Sequence, residues 1–373
     1  MKIISIISNL NKGGAEGNFY RLNTFYVIRK YEVLIICLTK KGYYSDLLEN
    51  KKIKVYHLNL NRGKITISSL LQMYKIIKKF SPNVVQTWMY HSDLIGGIIS
   101  KIAGVNKIHW NIRHGSFKLG SSKITTIIIA FLCSIFSYFI PNKIIFNSYF
   151  SKKFHSKIFY CKNKMKVIHN GIDTNFFKPN NNEKNYLKDL YKINNKFIIG
   201  MVARLDRQKD HLTFLESIRI FKYRFKINDF HVFLIGKNII ENTDLLTIIN
   251  QKKLFDNITL IDHYNEINKI MNSLDLHVLS SKYGDSFPNV ILESMSCSTP
   301  CISTNIGDSK LIINNDKLIA EIGNASSLSN SILHVYKIFQ NYSEWIKFKK
   351  NIRNEIVNKF KIDNMTNQYE KIL

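Results

Sequence analysis

Short apolar runs alternate along the chain with longer segments in which apolar side chains recur at spacings of three and four. Residues 3–7 (IISII) are the first run, and the glycine-rich residues 9–17 lead into a helical pattern that continues to Tyr26. Parallel strands joined by crossover helices give this alternation, so it predicts an α/β protein with doubly wound parallel sheets. Further strands are expected at residues 32–38, 53–58, 83–86, 197–202, 230–235, 258–261 and 274–279, and helices at 67–79, 211–221 and 289–298.

A strand, a loop of small residues and a helix follow one another between residues 274 and 298. In an open parallel sheet, ligands bind at the loops beyond the carboxyl ends of the strands, and the free N–H groups of the next helix attract anions. Asp285 and Glu293 lie eight residues apart on either side of the expected helix start. A site for a sugar nucleotide needs two features. Its N–H groups donate hydrogen bonds to the phosphates, and its carboxylates accept hydrogen bonds from the hydroxyls.

Residues 284–293 (GDSFPNVILE) resemble the donor-site signature of retaining glycosyltransferases of family 4, Gly-(Glu/Asp)-x-Phe-Pro-Asn-Val-x-x-Glu. A Cys-x-x-Pro at residues 297–300 and the later Gly307 continue the likeness. The resemblance implies a GT-B fold, in which two Rossmann-like domains face a cleft, and a retaining transfer from a nucleotide sugar. It assigns Asp285 to the hydroxyls of the donor sugar and Glu293 to the ribose.

The same resemblance assigns the residues between the two carboxylates, Ser286, Phe287, Pro288, Asn289 and Val290, to the donor site. Two positions depart from the family pattern. Asp285 is one methylene shorter than the Glu that is common there, and Ser286 stands where Gly is common. We expect both departures to affect which donor sugar is bound more than which reaction is catalysed.

Two cations occupy the expected loop between the strand at 197–202 and the helix at 211–221. Arg204 and Lys209, together with the N–H groups of the helix, can converge on a pyrophosphate, although a solvated basic loop has the same composition. Family 4 enzymes have an Arg and a Lys in this arrangement. The resemblance therefore assigns both residues to the donor diphosphate and its departure.

The first half of the chain supplies further candidates near expected strand ends. The resemblance assigns Gly13 and Gly14 to the cleft, in the position of the family's first glycine-rich loop. His91 follows a strand, where a histidine is structural about as often as functional. Arg113 and His114 both follow the next strand, and both compete for the place where relatives have a His near the donor phosphates and the acceptor.

The chain length of 373 residues suits two domains. Residues 167–179 resemble the family's junction Asn-Gly-Val-Asp-x-x-x-Phe-x-Pro, and a polar Asn-rich segment follows. These features predict an acceptor-binding domain at 1–180, a donor-binding domain at 181–355, and a C-terminal helix at 356–373 that returns to the first domain.

The net charge of +27 is concentrated in the first half of the chain. Residues 1–180 contain 28 Lys and Arg against 6 Asp and Glu, while residues 181–373 contain 26 against 21. Residues 94–172 hold 12 cations and no carboxylate. A basic composition accounts for part of this excess, but its position suits a polyanion, either a nucleic acid or an anionic membrane surface.

Residues 124–140 (ITTIIIAFLCSIFSYFI) are the most apolar stretch of the chain. Their length is at the lower limit for a helix that crosses a membrane, and Thr and Ser residues interrupt the apolar run. We expect a helix that is partly core and partly membrane-facing through Phe131, Phe136 and Phe139, with Lys123 and Lys143 as interfacial anchors. The five scattered cysteines and the short N-terminal apolar run favour the reducing cytoplasm. The expected location is therefore the inner face of the cytoplasmic membrane.

These observations favour a hexosyltransferase that moves a sugar from a nucleotide donor, expected to be UDP-linked, to a glycan or lipid-linked acceptor of a bacterial surface polysaccharide. No Asp-x-Asp metal motif occurs, so a metal-independent reaction without a cofactor is expected. A nucleotide-sugar 2-epimerase with the same fold is an alternative that needs no acceptor. A basic nucleic-acid-binding protein is a second alternative, but no compact nucleic-acid motif supports it, and no nucleic-acid partner is expected.

Overall fold

A computed structural model describes residues 1–60, 66–117, 123–262, 264 and 266–373. The chain forms two compact units, Met1–Gly171 with Met365–Leu373, and Ile172–Asn364. The division falls between Gly171 and Ile172, several residues before the polar segment near 180 that the sequence suggests. The reason is that Ile172 and Phe177 are buried in the core of the second unit.

The first unit is a parallel sheet flanked by helices. Its described residues form seven strands in the order β3-β2-β1-β4-β5-β6-β7. The elements in chain order are β1 (Lys2–Ile7), α1 (Gly14–Ile28), β2 (Glu32–Cys37), α2 (Tyr43–Glu49), β3 (Lys54–His57), α3 (Ile67–Phe80), β4 (Val84–Trp88), α4 (Tyr90–Ile102), β5 (Lys107–Ile112), α5 (Ile124–Phe136), β6 (Lys143–Phe146), α6 (Tyr149–Lys157) and β7 (Met165–Val167).

The second unit repeats this design. Its described residues form six parallel strands in the order β10-β9-β8-β11-β12-β13. The elements are α7 (Tyr186–Leu190), β8 (Phe197–Val202), α8 (His211–Tyr223), β9 (Phe230–Ile235), α9 (Thr243–Gln251), β10 (Ile258–Ile261), α10 (Ile267–Ser273), β11 (Leu276–Leu279), α11 (Asn289–Ser296), β12 (Cys301–Thr304), α12 (Ser309–Ile313), β13 (Ile319–Ala320), α13 (Ala325–Phe339) and α14 (Tyr342–Phe360).

The strand order reverses once in each sheet, between β1 and β4 and between β8 and β11. Ligands of doubly wound sheets bind at such a switch point, beyond the carboxyl ends of the two strands. The loops that follow β8 and β11 are those with Lys209 and Asp285. The doubly wound architecture predicted from the sequence is confirmed, and it brings these two loops together.

Two strands extend further than their sequence pattern indicates. Thr87 and Trp88 belong to β4 and not to the following loop, and residues 110–112 belong to β5. Trp88 and Trp110 are fully buried, and burial of these large rings in central strands outweighs the polar residues beside them. Met89, with a φ of 72°, connects β4 directly to α4, so His91 lies in the first turn of a helix.

The C-terminal helical segment is broken at Lys361. There α14 ends and α15 (Ile362–Glu370) begins, and the chain rejoins the first unit at Met365. Tyr369 of α15 is fully buried, stacks on Trp88 at a centroid distance of 6.3 Å, and donates a hydrogen bond to Asn111 Oδ1 at 2.8 Å. The last residues therefore complete the packing beside β4 and β5.

The apolar stretch at 124–140 forms the 13-residue helix α5 and a turn behind it. Ala130 and Cys133 of α5 are fully buried, and Phe136 packs partly buried against the same core, so Phe136 is not on the exposed face. In the part of the chain that the structure describes, α5 and every other helix are too short or too polar to cross a bilayer.

Candidate functional site

The loop between β8 and α8 is shaped by hydrogen bonds of its own residues. Asp206 accepts two backbone hydrogen bonds. Its side-chain Oδ1 accepts the N–H of Gln208 at 2.8 Å, and its backbone carbonyl oxygen accepts the N–H of Lys209 at 2.9 Å. Asp210 adopts a φ of 51°, and its side chain accepts the N–H of Thr213 at 3.3 Å to cap α8. The turn at Asp206 and the cap at Asp210 together set the direction of the Lys209 side chain.

Lys209 forms an ion pair with Asp285, which lies in the loop after β11. The ammonium nitrogen of Lys209 is 2.9 Å from Oδ1 and 2.7 Å from Oδ2 of this carboxylate. Gln208 donates a further hydrogen bond from Nε2 to Oδ1 at 3.2 Å. Both charged side chains are largely shielded, with 14% and 15% exposed, so solvent screens the pair less than it would a surface ion pair.

The backbones of the two loops are also joined. The N–H of Lys282 donates to the carbonyl oxygen of Gln208 at 2.8 Å. The hydroxyl of Ser280 donates to the carbonyl oxygen of Lys209 at 2.9 Å. The ammonium of Lys282 lies 2.9 Å from the buried carboxylate of Asp210. These contacts fix the loop that carries Lys209 against the loop that carries Asp285.

Two glycines with positive φ hold the Asp285 loop in place. Gly284 has a φ of 82°, and a Cβ there would meet the side chain of Gln208 at 2.8 Å. Gly307 has a φ of 55°, and a Cβ would lie 2.3 Å from the carbonyl oxygen of Ser286 and 2.6 Å from that of Asp285. The loop therefore depends on glycine for both its conformation and its close packing.

Gly307→Ala should destabilise the second unit more than Gly323→Ala does. Both residues have a positive φ, which costs an L-residue about 1–2 kcal/mol, but a Cβ at Gly323 would meet no atom closer than 3.9 Å. The clash with the backbone of the Asp285 loop should add about 1–3 kcal/mol at Gly307. Urea unfolding measures the free energy of unfolding of both variants. Equal losses would show that the Asp285 loop can move to accommodate the Cβ at little cost.

The helix α11 begins directly after this loop. Phe287 is buried and its ring packs edge-on against Phe360 at 5.5 Å, while Pro288 is the N-cap residue. Glu293 lies half-buried on α11. The structure thus places residues 284–293, with one carboxylate on each side of the helix start, in the arrangement that the sequence predicts.

Arg204 lies at the start of the β8–α8 loop and is exposed. It belongs to the same loop as Lys209, but its side chain is accessible to solvent where that of Lys209 is shielded. Of the two predicted cations, the structure pairs Lys209 with a carboxylate and leaves Arg204 accessible to a ligand.

In the first unit, the candidate residues follow three neighbouring strands. Gly13 is the N-cap residue of α1 and Gly14 is its first residue, just after β1. His91 is half-buried in the first turn of α4, and burial lowers its pKa, which favours the neutral imidazole at pH 7.

The two residues that compete for one position after β5 have different surroundings. Arg113 places its guanidinium 4.0 Å above the ring of Trp88, and it donates hydrogen bonds to Asn170 Oδ1 at 2.9 Å and to the hydroxyl of Tyr369. His114 stacks on Phe117 at 5.1 Å, and burial lowers its pKa. Arg113 thus helps attach the C-terminal residues to the first unit, and His114 is held between aromatic rings.

Sequence reasoning missed residues that position the candidate site. The sequence pattern assigned no role to Gln208 or Asp210, yet Gln208 binds Asp285, and Asp210 caps α8 and pairs with Lys282. An Asp directly before a helix is a cap signal that the sequence contained. The contact of Tyr369 with Arg113 joins residues 256 positions apart, and no local signal predicts it.

Two family models match the two halves of the chain. The model described as "Glycosyl transferases group 1" matches residues 182–352, and the model described as "Glycosyltransferase Family 4" matches residues 12–176. Each match falls within one half of the sequence on either side of the junction.

Curated relatives and solved structures agree with these matches. The chain is 26% identical to the UDP-Gal:alpha-D-GlcNAc-diphosphoundecaprenol alpha-1,3-galactosyltransferase of Escherichia coli, over 89% of this chain and 86% of that protein. It is 24% identical to the capsular polysaccharide biosynthesis glycosyltransferase CapH of Staphylococcus aureus, over 82% of each. The structure of Anabaena Alr3699/HepE in complex with UDP matches with a TM-score of 0.85 at 17% identity, over 100% of this chain and 99% of that one.

The structural likeness establishes the GT-B fold, as the sequence predicted. The family matches and the relatives confirm the predicted enzyme class, a hexosyltransferase. The Staphylococcus aureus relative is named for capsular polysaccharide biosynthesis, and the Escherichia coli relative is named for galactosyl transfer to a diphosphoundecaprenol-linked sugar. The chain therefore belongs to family 4 of the glycosyltransferases.

Proposed function

We propose that the enzyme is a retaining transferase that moves a hexosyl group from a UDP-sugar to a lipid-linked glycan of bacterial surface-polysaccharide assembly. The ion pair of Lys209 with Asp285 at the switch point of the second sheet carries this proposal. In this proposal the second unit binds the donor and the first unit binds the acceptor, and the candidate site residues of the first unit are Gly13, Gly14, His91 and either Arg113 or His114.

The charges of the two loops fit a sugar diphosphate. Asp285 balances the charge of Lys209 without a ligand, so neither residue stands as an isolated buried charge. A diphosphate brings negative charge to Lys209 and the accessible Arg204, while the sugar brings hydroxyl donors to the carboxylate of Asp285. The same pair can therefore serve phosphate and sugar at once, and Glu293 is left to accept the hydroxyls of the ribose.

The reaction breaks the bond between the anomeric carbon and the β-phosphate oxygen of the donor, and it forms a bond from the acceptor oxygen to that carbon. The proton of the acceptor hydroxyl passes to the departing phosphate oxygen. Negative charge grows on this oxygen in the transition state, so fixed cations stabilise the transition state more than the bound substrate. We assign Lys209 and Arg204 to this role.

The names of the relatives support the choice of donor and acceptor. The Escherichia coli relative is named for a UDP-Gal donor and a diphosphoundecaprenol-linked acceptor, and the Anabaena structure holds UDP. A polyprenol-linked acceptor is anchored in a membrane, and the site that we propose for the reaction is the inner face of the cytoplasmic membrane.

Proton NMR of the product tests the retaining reaction. Incubation with a panel of α-linked UDP-hexoses and lipid-linked acceptors should give an α-linked product, which a small coupling constant at the new anomeric proton identifies. A β-linked product would refute retention. Release of a free 2-epimer without an acceptor would identify a nucleotide-sugar epimerase instead.

We also propose that the reaction needs no metal ion, because side-chain cations meet the developing phosphate charge. Turnover should therefore be unchanged when EDTA is added at millimolar concentration. Loss of activity in EDTA that Mg²⁺ or Mn²⁺ restores would assign part of the leaving-group stabilisation to a metal.

A further inference from the structure

One face of α5 and the turn behind it expose large apolar side chains. We define the α5 patch as six large apolar residues that are each at least half exposed, namely Ile128, Phe131, Ile135, Tyr138 and Phe139 of α5 and the turn behind it, and Phe159. The opposite face of α5 packs into the core of the first unit. Hydrophobic residues scattered singly need no partner, but a contiguous apolar surface marks an interaction site.

Phe159 joins this patch from another element. It follows α6 with a φ of 66°, a conformation that favours glycine or asparagine, and its ring is 69% exposed. The ring lines one shallow groove together with Phe131 and Phe139. The left-handed backbone belongs to the turn that ends α6, in which the N–H of Tyr160 donates to the carbonyl oxygen of His155 at 3.2 Å. That turn explains the backbone of Phe159, but it does not explain why a phenyl ring is exposed to water there.

Cations stand at both ends of the patch. The ammonium of Lys164 donates to the carbonyl oxygens of Tyr138 at 2.6 Å and Ser137 at 3.1 Å, which places it at the carboxyl end of α5. Lys123 precedes the first residue of α5 and is exposed. Since residues 94–172 contain no Asp or Glu, no carboxylate of this segment offsets these charges.

We propose that the α5 patch is a docking surface that inserts into the interface of an anionic lipid bilayer. A second copy of the chain would bring like charges together around the patch, whereas anionic headgroups attract them. The 13 residues of α5 are about 20 Å long, which suits a helix that lies in the plane of the interface with its apolar face down. The aromatic rings would enter the acyl boundary and the lysines would contact the headgroups.

Docking in this way would hold the first unit at the surface where lipid-linked substrates lie. The proposal goes beyond the transfer reaction, because vesicle binding requires neither donor nor acceptor. A failure of docking therefore leaves the proposed reaction standing, and a failure of transfer leaves docking standing.

Co-sedimentation with vesicles tests the proposal. The protein should bind vesicles that contain phosphatidylglycerol, bind pure phosphatidylcholine weakly, and lose part but not all of its binding at 1 M salt. Phe139→Ser/Phe159→Ser should lower the partition coefficient about tenfold or more, since each exposed ring is lost from the apolar interface. The control Phe255→Ser/Tyr342→Ser removes two rings of the second unit that are 64% and 78% exposed, and it should bind like the wild type.

Replacement of the same rings by tryptophan should retain binding, because tryptophan favours the membrane interface. The thermal midpoint of each variant shows whether it is folded. The proposal is overturned if the folded serine variant binds vesicles like the wild type. It is also overturned if the wild type binds neutral vesicles as well as anionic ones, or loses all binding at high salt. A wild-type dimer in light scattering that the serine variant converts to a monomer would overturn it too, because a second copy would then cover the patch.

Discussion

Lys209→Ala should lower kcat by about 10²–10³-fold, the effect of removing one preorganised group that stabilises a developing negative charge. KM should change less, because the charge on the departing phosphate is larger in the transition state than in the bound donor. Arg204→Ala should act in the same direction. Steady-state kinetics of UDP release measures both values.

Arg207→Ala is the matched control for these variants, because Arg207 is an exposed cation of the same loop to which we assign no role. It should leave kcat within about twofold of the wild type, the scatter of a surface substitution. Because Lys209 and Asp285 are in contact, Lys209→Ala and Asp285→Asn should be non-additive in the double variant. An increase of KM alone in Lys209→Ala would assign this lysine to ground-state binding and remove it from the leaving-group role.

Glu293→Gln should weaken the binding of UDP by about 1.5–3 kcal/mol, the strength of a hydrogen bond to a charged group. The substitution keeps the size of the side chain and removes the charge that accepts the ribose hydroxyls. This corresponds to a roughly 10- to 150-fold higher Kd. Isothermal titration calorimetry with UDP, and no acceptor, measures it.

Glu344→Gln makes the same chemical change at an exposed position in the first turn of α14. It should leave the Kd for UDP unchanged. If Glu293→Gln also binds UDP like the wild type, then Glu293 does not hold the ribose and the assignment from the motif is wrong.

Most of the fold follows from local patterns in the sequence. The strands β8, β9 and β10 have the bounds that their mostly apolar runs predict. The residues of β8 and β9 are almost all buried, and strands buried on both faces have nearly continuous apolar sequences. The strand order, and with it the switch point between β8 and β11, follows from the rules for parallel sheets and not from any one residue. The break at Lys361 was not predicted, because the helical periodicity continues on both sides of it.

The sequence predicted which residues belong to the candidate site, but it did not predict the contacts between them. The motif identified Lys209 and Asp285 separately, as ligands of phosphate and sugar, while the structure joins them across 76 residues. Such a contact depends on tertiary packing of two loops, which periodicity does not describe. On α5, hydropathy treats Phe131 and Phe136 alike. Only the packing of α5 against α4 and the core of the first unit separates the exposed ring of Phe131 from the half-buried ring of Phe136.

Acceptor-dependent transfer is the most direct measurement of the proposed reaction. The wild-type protein is incubated with UDP-hexose labelled in the sugar, with and without polyprenyl-diphosphate-linked acceptor, and both UDP and lipid-extractable label are counted. We expect label in the lipid fraction with an equal amount of UDP, only when the acceptor is present, and a large loss in Lys209→Ala but not in Arg207→Ala. UDP release that is independent of the acceptor, with the label recovered as free sugar, would contradict a glycosyl transfer at the Lys209–Asp285 site.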